Sequence, residues 1–416
     1  MLEGSVSLRL GLYRAAAASL RRLPFGGTLG ASLRGRATAA WWNAVPTARG
    51  PRIWLHASSV GEALAAEPVI RRLAVTVPGL DVICSWSSPS MEGWGLGFPV
   101  SASGFVPPET PTAIRHAFDS VAPDLVLFSR SDLWPEMLLA ARDRGVPVAV
   151  SGGVIRDRSW RLRWPVRGFL SRLYAGLRFV GAVSAKDRER WLALGVPGEA
   201  AAVTGDPRHD QVLERLTRME IVRQLGRRVG GRPVLVAGSV EEGESLMLTR
   251  ALALTRRAHP EALLLMVPHD PARTTLKRYS GVTTGDFRDD GPLPACLVVS
   301  ERGLLQDLYA GGLAAYVGGG FRGALHAVVE PAAYGMPIIV GPDYRGSPDA
   351  ARMVEGGGAV VLPRRGAVHA LVAHWSRWIE SGGETASAGL AARRELHQGA
   401  AALTARRLLA LLPAAR

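Results

Sequence analysis

The sequence predicts an α/β protein built from two Rossmann-like domains. Each is a parallel sheet wrapped by helices, and the strand C-terminal ends of both face a central cleft. Three observations predict it. Short β-rich runs alternate with helical patterns along the whole chain, which is the rhythm of parallel sheets. The 416 residues are too many for one ordinary core. Several strands run directly into glycine- or serine-bearing turns that open a helix, the usual ligand corner of an open α/β sheet.

Residues 1–205 make the first domain. Val6–Leu23 places Leu8, Leu12, Ala16 and Leu20 at helical spacing, with Arg9, Arg14, Arg21 and Arg22 interrupting the apolar run. That is no signal peptide. It is an amphipathic helix that suits an anionic membrane surface or a face of the protein itself. Strands follow at Arg52–Leu55, Asp81–Ser85, Leu125–Phe128, Pro147–Ser151 and Phe179–Ala182. Helices lie between them near Glu62–Val75, Thr112–Ser120, Leu133–Arg144 and Ala185–Leu194. Val203–Asp210 (VTGDPRHD) reads as the connection between the domains.

Residues 206–416 make the second domain, with strands at Pro233–Ala237, Ala262–Val267, Ala295–Val299, Ala314–Val317, Pro337–Val340 and Ala359–Leu362. Its helices are expected near Glu241–Ala258, Pro271–Tyr279, Leu304–Tyr309 and Asp349–Glu355. Ser381–Gly389 reads as a Gly/Ser-rich connection before a last helix, Ala401–Leu412.

Composition narrows the function. Fifty basic against 36 acidic residues give a net charge of +14, which favours nucleic acid, anionic membrane or phosphorylated small molecules. Nucleic acid is the weakest of these, because no zinc-ligand spacing or RNP-type aromatic motif occurs and the arginines are spread along the chain. Cys84 and Cys296 sit in apolar runs and read as core residues of a reducing compartment. No run of 18 apolar residues suggests a spanning helix. The nine histidines form no i, i+4 pair, and no triad, Walker loop or metal cluster is visible, so no metal is expected.

Five turns carry candidate chemistry. In His56–Glu62 (HASSVGE), Ser58 and Ser59 suit a helix cap and Gly61 lets a ligand come close. Glu62 then sits at the helix start, as a general base or as a complement to the helix dipole. In Ser129–Glu136, Asp132 or Ser131 can cap the helix that Pro135 begins, and Arg130 can meet an acid or phosphate. In Ala237–Glu244, Gly238 and Ser239 would expose N–H groups to phosphate. Arg273, just beyond a strand end, can pair with phosphate. Finally Tyr316–Gly341 reads as strand, triple glycine, acidic residue, short helix and strand. There Gly319 and Gly320 would approach a bound group, and Glu330 would hold ribose hydroxyls; an ordinary βαβ turn with a solvated glutamate reads it equally well.

Taken in order, these pieces resemble the 3-deoxy-D-manno-octulosonic acid (Kdo) transferases of lipid A assembly, glycosyltransferases of the GT-B fold. The resemblance rests on Ser59-Val60-Gly61-Glu62, the turn Ser85–Gly93, Leu133-Trp134-Pro135, Gly205–Asp210, Gly238–Glu244 and Glu330–Pro337. It implies Glu62 as general base, with Ser58, Ser59, Gly61, Arg130 and Asp132 toward the acceptor. It implies Ser239, Arg273, Gly319, Gly320, His326 and Glu330 toward a donor activated with cytidine monophosphate (CMP). It further implies inverting transfer to a lipid A precursor, without metal or other cofactor, by a peripheral protein at the cytoplasmic face of the inner membrane. The chain departs from the family pattern at Arg130-Ser131-Asp132, where Glu-Thr-Glu is usual. It departs again at Ala327, where Asn is usual, and at Ser151–Val154, which lacks an arginine. These departures leave two other readings open: a transferase for a different activated sugar or acceptor, and a non-catalytic paralogue that binds a nucleotide.

Overall fold

The computed structural model describes residues 10–11, 13–15, 27–215, 218–271, 282–288, 292–323 and 325–413. The chain divides into two compact units, Met1–Gln211 with His397–Arg416, and Val212–Leu396. Each holds one seven-stranded parallel sheet. In the first unit β1 (Arg52–His56), β2 (Asp81–Trp86), β3 (Ala102–Phe105), β4 (Leu125–Ser129), β5 (Val148–Gly153), β6 (Phe179–Ala182) and β7 (Ala201–Val203) are ordered β3-β2-β1-β4-β5-β6-β7. The second unit has β8 (Val234–Val240), β9 (Leu263–Pro268), β10 (Thr284–Asp286), β11 (Cys296–Val298), β12 (Ala314–Val317), β13 (Ile338–Val340) and β14 (Ala359–Val361). Their order is β10-β11-β9-β8-β12-β13-β14. The strand order reverses beside β1 and beside β8, so the switch points lie at β1/β4 and β8/β12.

The central strands read as unbroken apolar runs because helices cover both faces. Ile53, Trp54, Leu55, Val126, Leu127 and Phe128 are all fully buried, each worth roughly 1.5–3 kcal/mol of transfer free energy. Helix starts follow local capping rules. Thr110 accepts from the Ala113 N–H ahead of Pro111, and Ser347 accepts from Ala350 ahead of Pro348.

Four expectations change. The last helix, Ala400–Leu409, belongs to the first unit, because Ala401, Ala405 and Leu408 pack with Val69, Ile70 and Leu73. The VTGDPRHD segment is no free linker. Asp206, His209 and Asp210 are buried, and Asp210 accepts the N–H groups of Gly399 (2.7 Å) and Ala401 (2.9 Å) at the start of that last helix. The Gly/Ser-rich stretch is a helix, Gly382–Arg394, whose Ser381 cap accepts from Glu384. Its Gly389 leaves the room that the Gly335 carbonyl occupies. Asp132 and Ser131 cap nothing; the helix from Pro135 starts at Trp134 without a side-chain cap. Most of Val6–Leu23, and the expected helix Pro271–Tyr279, lie outside the described residues.

Candidate functional site

In the first unit the candidate groups gather at the C-terminal ends of β1 and β4. His56 closes β1 and is fully buried. The Trp134 indole N–H donates to its Nε2 at 2.9 Å, which places the ring proton on Nδ1, 3.0 Å from the Ser85 hydroxyl. Trp54 donates to the same hydroxyl at 2.9 Å. A rigid polar platform thus lies beneath the turn.

Ser59 is the N-cap residue of the helix Val60–Thr76 but makes no side-chain cap. Instead Glu62 reaches back, and its Oε2 accepts the Ser58 N–H at 2.7 Å. The Ser58 hydroxyl donates to Asp132, so one residue tethers both carboxylates. Burial pushes the Glu62 carboxyl up to about 7 against the Ser58 N–H bond, and the charge of Asp132 adds to the rise. Gly61 is exposed, with open space where a side chain would stand.

Arg130 is held differently. Its backbone is left-handed (φ 68°) and its guanidinium bonds buried Asp206 at 2.9 Å. Arg208 binds the same carboxylate, and the two cations hold Asp206 far below its usual range despite burial. Arg130 therefore braces the turn beside Asp132, sharing the Asp206 carboxylate with Arg208.

In the second unit the candidates lie at the ends of β8, β9 and β12. Ser239 is left-handed (φ 52°), the same exception at the switch-point strand that Arg130 makes in the first unit. The helix Glu242–Thr255 begins with a capping box of Glu241 and Glu244. Glu244 is buried and also accepts the Gly319 N–H at 2.9 Å. The protein's own carboxylates thus satisfy the Glu241 and Glu244 N–H groups at this helix start. The triple glycine has a packing reason as well: a Cβ on Gly318 would strike the Ser239 carbonyl, and one on Gly320 would come 2.6 Å from the Gly341 nitrogen.

Glu330 lies in the first turn of the short helix Val329–Ala333. Burial raises its carboxyl to about 7, with Arg215 opposing and Asp307 adding to the shift. No described residue hydrogen-bonds it, which leaves it able to accept two hydroxyls. His326 stacks on His269 with ring centroids 4.1 Å apart, and its Nε2 lies 3.2 Å from Glu241. Burial and then the His269 charge lower the His326 pKa. The sequence shows no metal cluster, yet the ends of three neighbouring strands bring Glu241, His269 and His326 together, their ligand atoms within 4.8 Å of one another. Nearby, a cavity of about 560 Å³ is lined by Gly243, Phe321, Arg322, Arg364 and Gly366. Arg273 lies outside the described residues.

His56 and Glu244 are the residues sequence reasoning left without a role. For His56 the signal is a polar residue that follows the apolar run Ile53–Leu55 at the end of a strand, RIWLH. For Glu244 it is the E-x-x-E spacing of a capping box.

Comparison with known proteins bears on the family and the fold. A model of the 3-deoxy-D-manno-octulosonic-acid transferase (kdotransferase) family matches residues 21–211. The 3-deoxy-D-manno-octulosonic acid transferase of Bordetella pertussis is 29% identical over 328 residues, covering 74% of this chain and 75% of its own. That of Haemophilus influenzae is 26% identical over 314 residues, 73% of each chain. Among solved structures, the UDP-GlcNAc 2-epimerase of Neisseria meningitidis, bound to UDP-GlcNAc, superposes with a TM-score of 0.61 at 15% identity, over 86% of this chain and all of that one. Such a distant likeness shows the fold alone, two Rossmann-like units of the GT-B kind.

Proposed function

We propose a specific reaction from the premise that this chain is a divergent member of the 3-deoxy-D-manno-octulosonic acid transferase family, and hence a glycosyltransferase. It transfers Kdo, or a closely related sugar acid, from a CMP-activated donor to a lipid A precursor, with inversion and in one displacement. Glu62 takes the proton of the acceptor hydroxyl. The hydroxyl oxygen forms the new bond to the anomeric carbon, and the bond to the phosphate oxygen breaks with its electron pair going to CMP. Asp132 and Ser58 orient Glu62 and the acceptor, with Ser59 and the open side of Gly61 admitting it. Glu330 holds the ribose hydroxyls. Ser239, His326 and Arg322 meet the leaving phosphate, so no metal is assigned a role. The acceptor would be met at the cytoplasmic face of the inner membrane by a peripheral protein; no described helix is long and apolar enough to cross a membrane.

The observation that carries this reading is Glu62. A buried carboxyl held near 7 at a helix start is poised to gain a proton at neutral pH, and it lies inside the segment that matches the family model. The test is turnover by the full chain with a panel of activated sugars and a lipid A precursor, in excess chelator. Transfer from CMP-Kdo supports the reading. Turnover of a different sugar reassigns the donor, and nucleotide binding without turnover makes the chain a binder.

A further inference from the structure

The segment that follows β5 carries a feature that the transfer reaction does not use. Ile155–Arg167 reads IRDRSWRLRWPVR, five arginines and two tryptophans against one aspartate. Trp160 is 61% exposed and Trp164 81%, whereas the next most exposed tryptophan, Trp94, stands at 36%. Large aromatic faces left this bare on a folded surface mark a docking site. Arg156, Arg158 and Arg163 are exposed beside them, with no acidic partner among the described residues. Asp157 is already neutralised by Arg190.

The segment is also firmly seated. Leu162, Val166 and Phe169 pack against the core of the first unit, and Arg190 donates to the Ile155 carbonyl at 2.8 Å. It is tied to the candidate acceptor groups too, because the Val154 N–H donates to Ser131, next to Asp132, at 3.0 Å. We propose that Trp160 and Trp164, with Arg156, Arg158 and Arg163, form a docking surface for an anionic lipid bilayer, inserting at the headgroup level beside the acceptor site. Interleaved tryptophan and arginine fit that boundary: the rings take the apolar margin while the guanidiniums meet anionic headgroups. The N-terminal helix expected for this task places Arg14 elsewhere, bonded to buried Glu136 at 2.6 Å and 3.0 Å.

The proposal rests on the reading that the acceptor is a lipid, and the test separates the two. Cosedimentation of the full chain is measured with phosphatidylcholine vesicles and with vesicles that also contain phosphatidylglycerol. The wild type is expected to bind the anionic vesicles selectively. R156E/R158E/R163E should lose that selectivity, at about fivefold or more per arginine, the factor for ~1 kcal/mol each. W160A/W164A should lose binding to them while W160F/W164F keeps part of it. Both variants, checked for native circular dichroism, should turn over a deacylated, water-soluble acceptor like wild type and fail only on the acceptor embedded in vesicles. Unchanged vesicle binding in both variants overturns the proposal, as does preferential retention on single-stranded RNA. If the variants lose vesicle binding but no acceptor is glycosylated even by wild type, the surface stands and the transfer reading falls.

Discussion

At the scale of single residues, Glu62 and Glu330 answer to different measurements. Glu62→Gln should lower transfer by ~10²–10⁴-fold, the usual contribution of a general base, while donor affinity stays the same. Because the base form is needed and burial holds the carboxyl near 7, the wild-type rate should rise with pH through that value. Activity of Glu62→Gln close to wild type would remove the base role. Glu330→Ala should instead weaken cytidine nucleotide binding by roughly 1.5–3 kcal/mol. Ribose hydroxyls favour the carboxylate, so wild-type affinity should improve as pH rises past about 7, and the variant should lose that dependence in calorimetry. The sequence exposes the turns that hold these residues, since a strand followed by a small-residue turn and a helix is a local pattern. It hides the ties of Arg130 and Gly319, because Asp206 stands 76 positions from the first and Glu244 75 from the second. Such partners become neighbours only once the sheets have formed.

Two glycines in helices of the second unit make an element-scale prediction with opposite signs. Gly226, inside the helix Met219–Val229, has open space around a would-be Cβ. Gly226→Ala should therefore stabilise by ~1 kcal/mol through helix propensity. Gly389, inside Gly382–Arg394, would drive a Cβ into the Gly335 carbonyl. Gly389→Ala should lose that gain and cost ~1–3 kcal/mol beyond it, as overpacking does. Thermal melts of the pair check this, and a raised Tm for Gly389→Ala would refute the packing. The stretch reads as a connection from its composition, which does not reveal that one of its glycines, Gly389, makes room for a neighbouring backbone. The long apolar strands were legible because burial on both faces dictates their residues. The strands ASGF, AAV and TGD of β3, β7 and β10 were not, being short runs at or near sheet edges and held by pairing with their neighbours.

For the whole molecule, burial raises the carboxyls of Glu62, Glu109 and Glu330 to about 7. The folded state then binds more protons than the unfolded chain, so stability should fall as pH rises from about 4.5 through about 7. Asp206, held far below its usual range by Arg208 and Arg130 despite burial, loses its contribution only in strong acid and does not mask the effect. Urea midpoints lower at about pH 8 than at about pH 5 are expected; the reverse order would mean that these groups are hydrated. The return of the last helix to the first unit has a consequence of another kind. Val212–Leu396 is one uninterrupted stretch, whereas the unit that begins the chain also contains its final residues. A ribosome reading from the N-terminus therefore completes the second unit first. The opening unit must wait, with the edge around Val69 and Leu73 bare and Asp210 without the N–H groups of Gly399 and Ala401, until the codons of the helix Ala400–Leu409 have been translated. A nonsense mutation just before Gly399 would spare the later-encoded unit and cripple the earlier one.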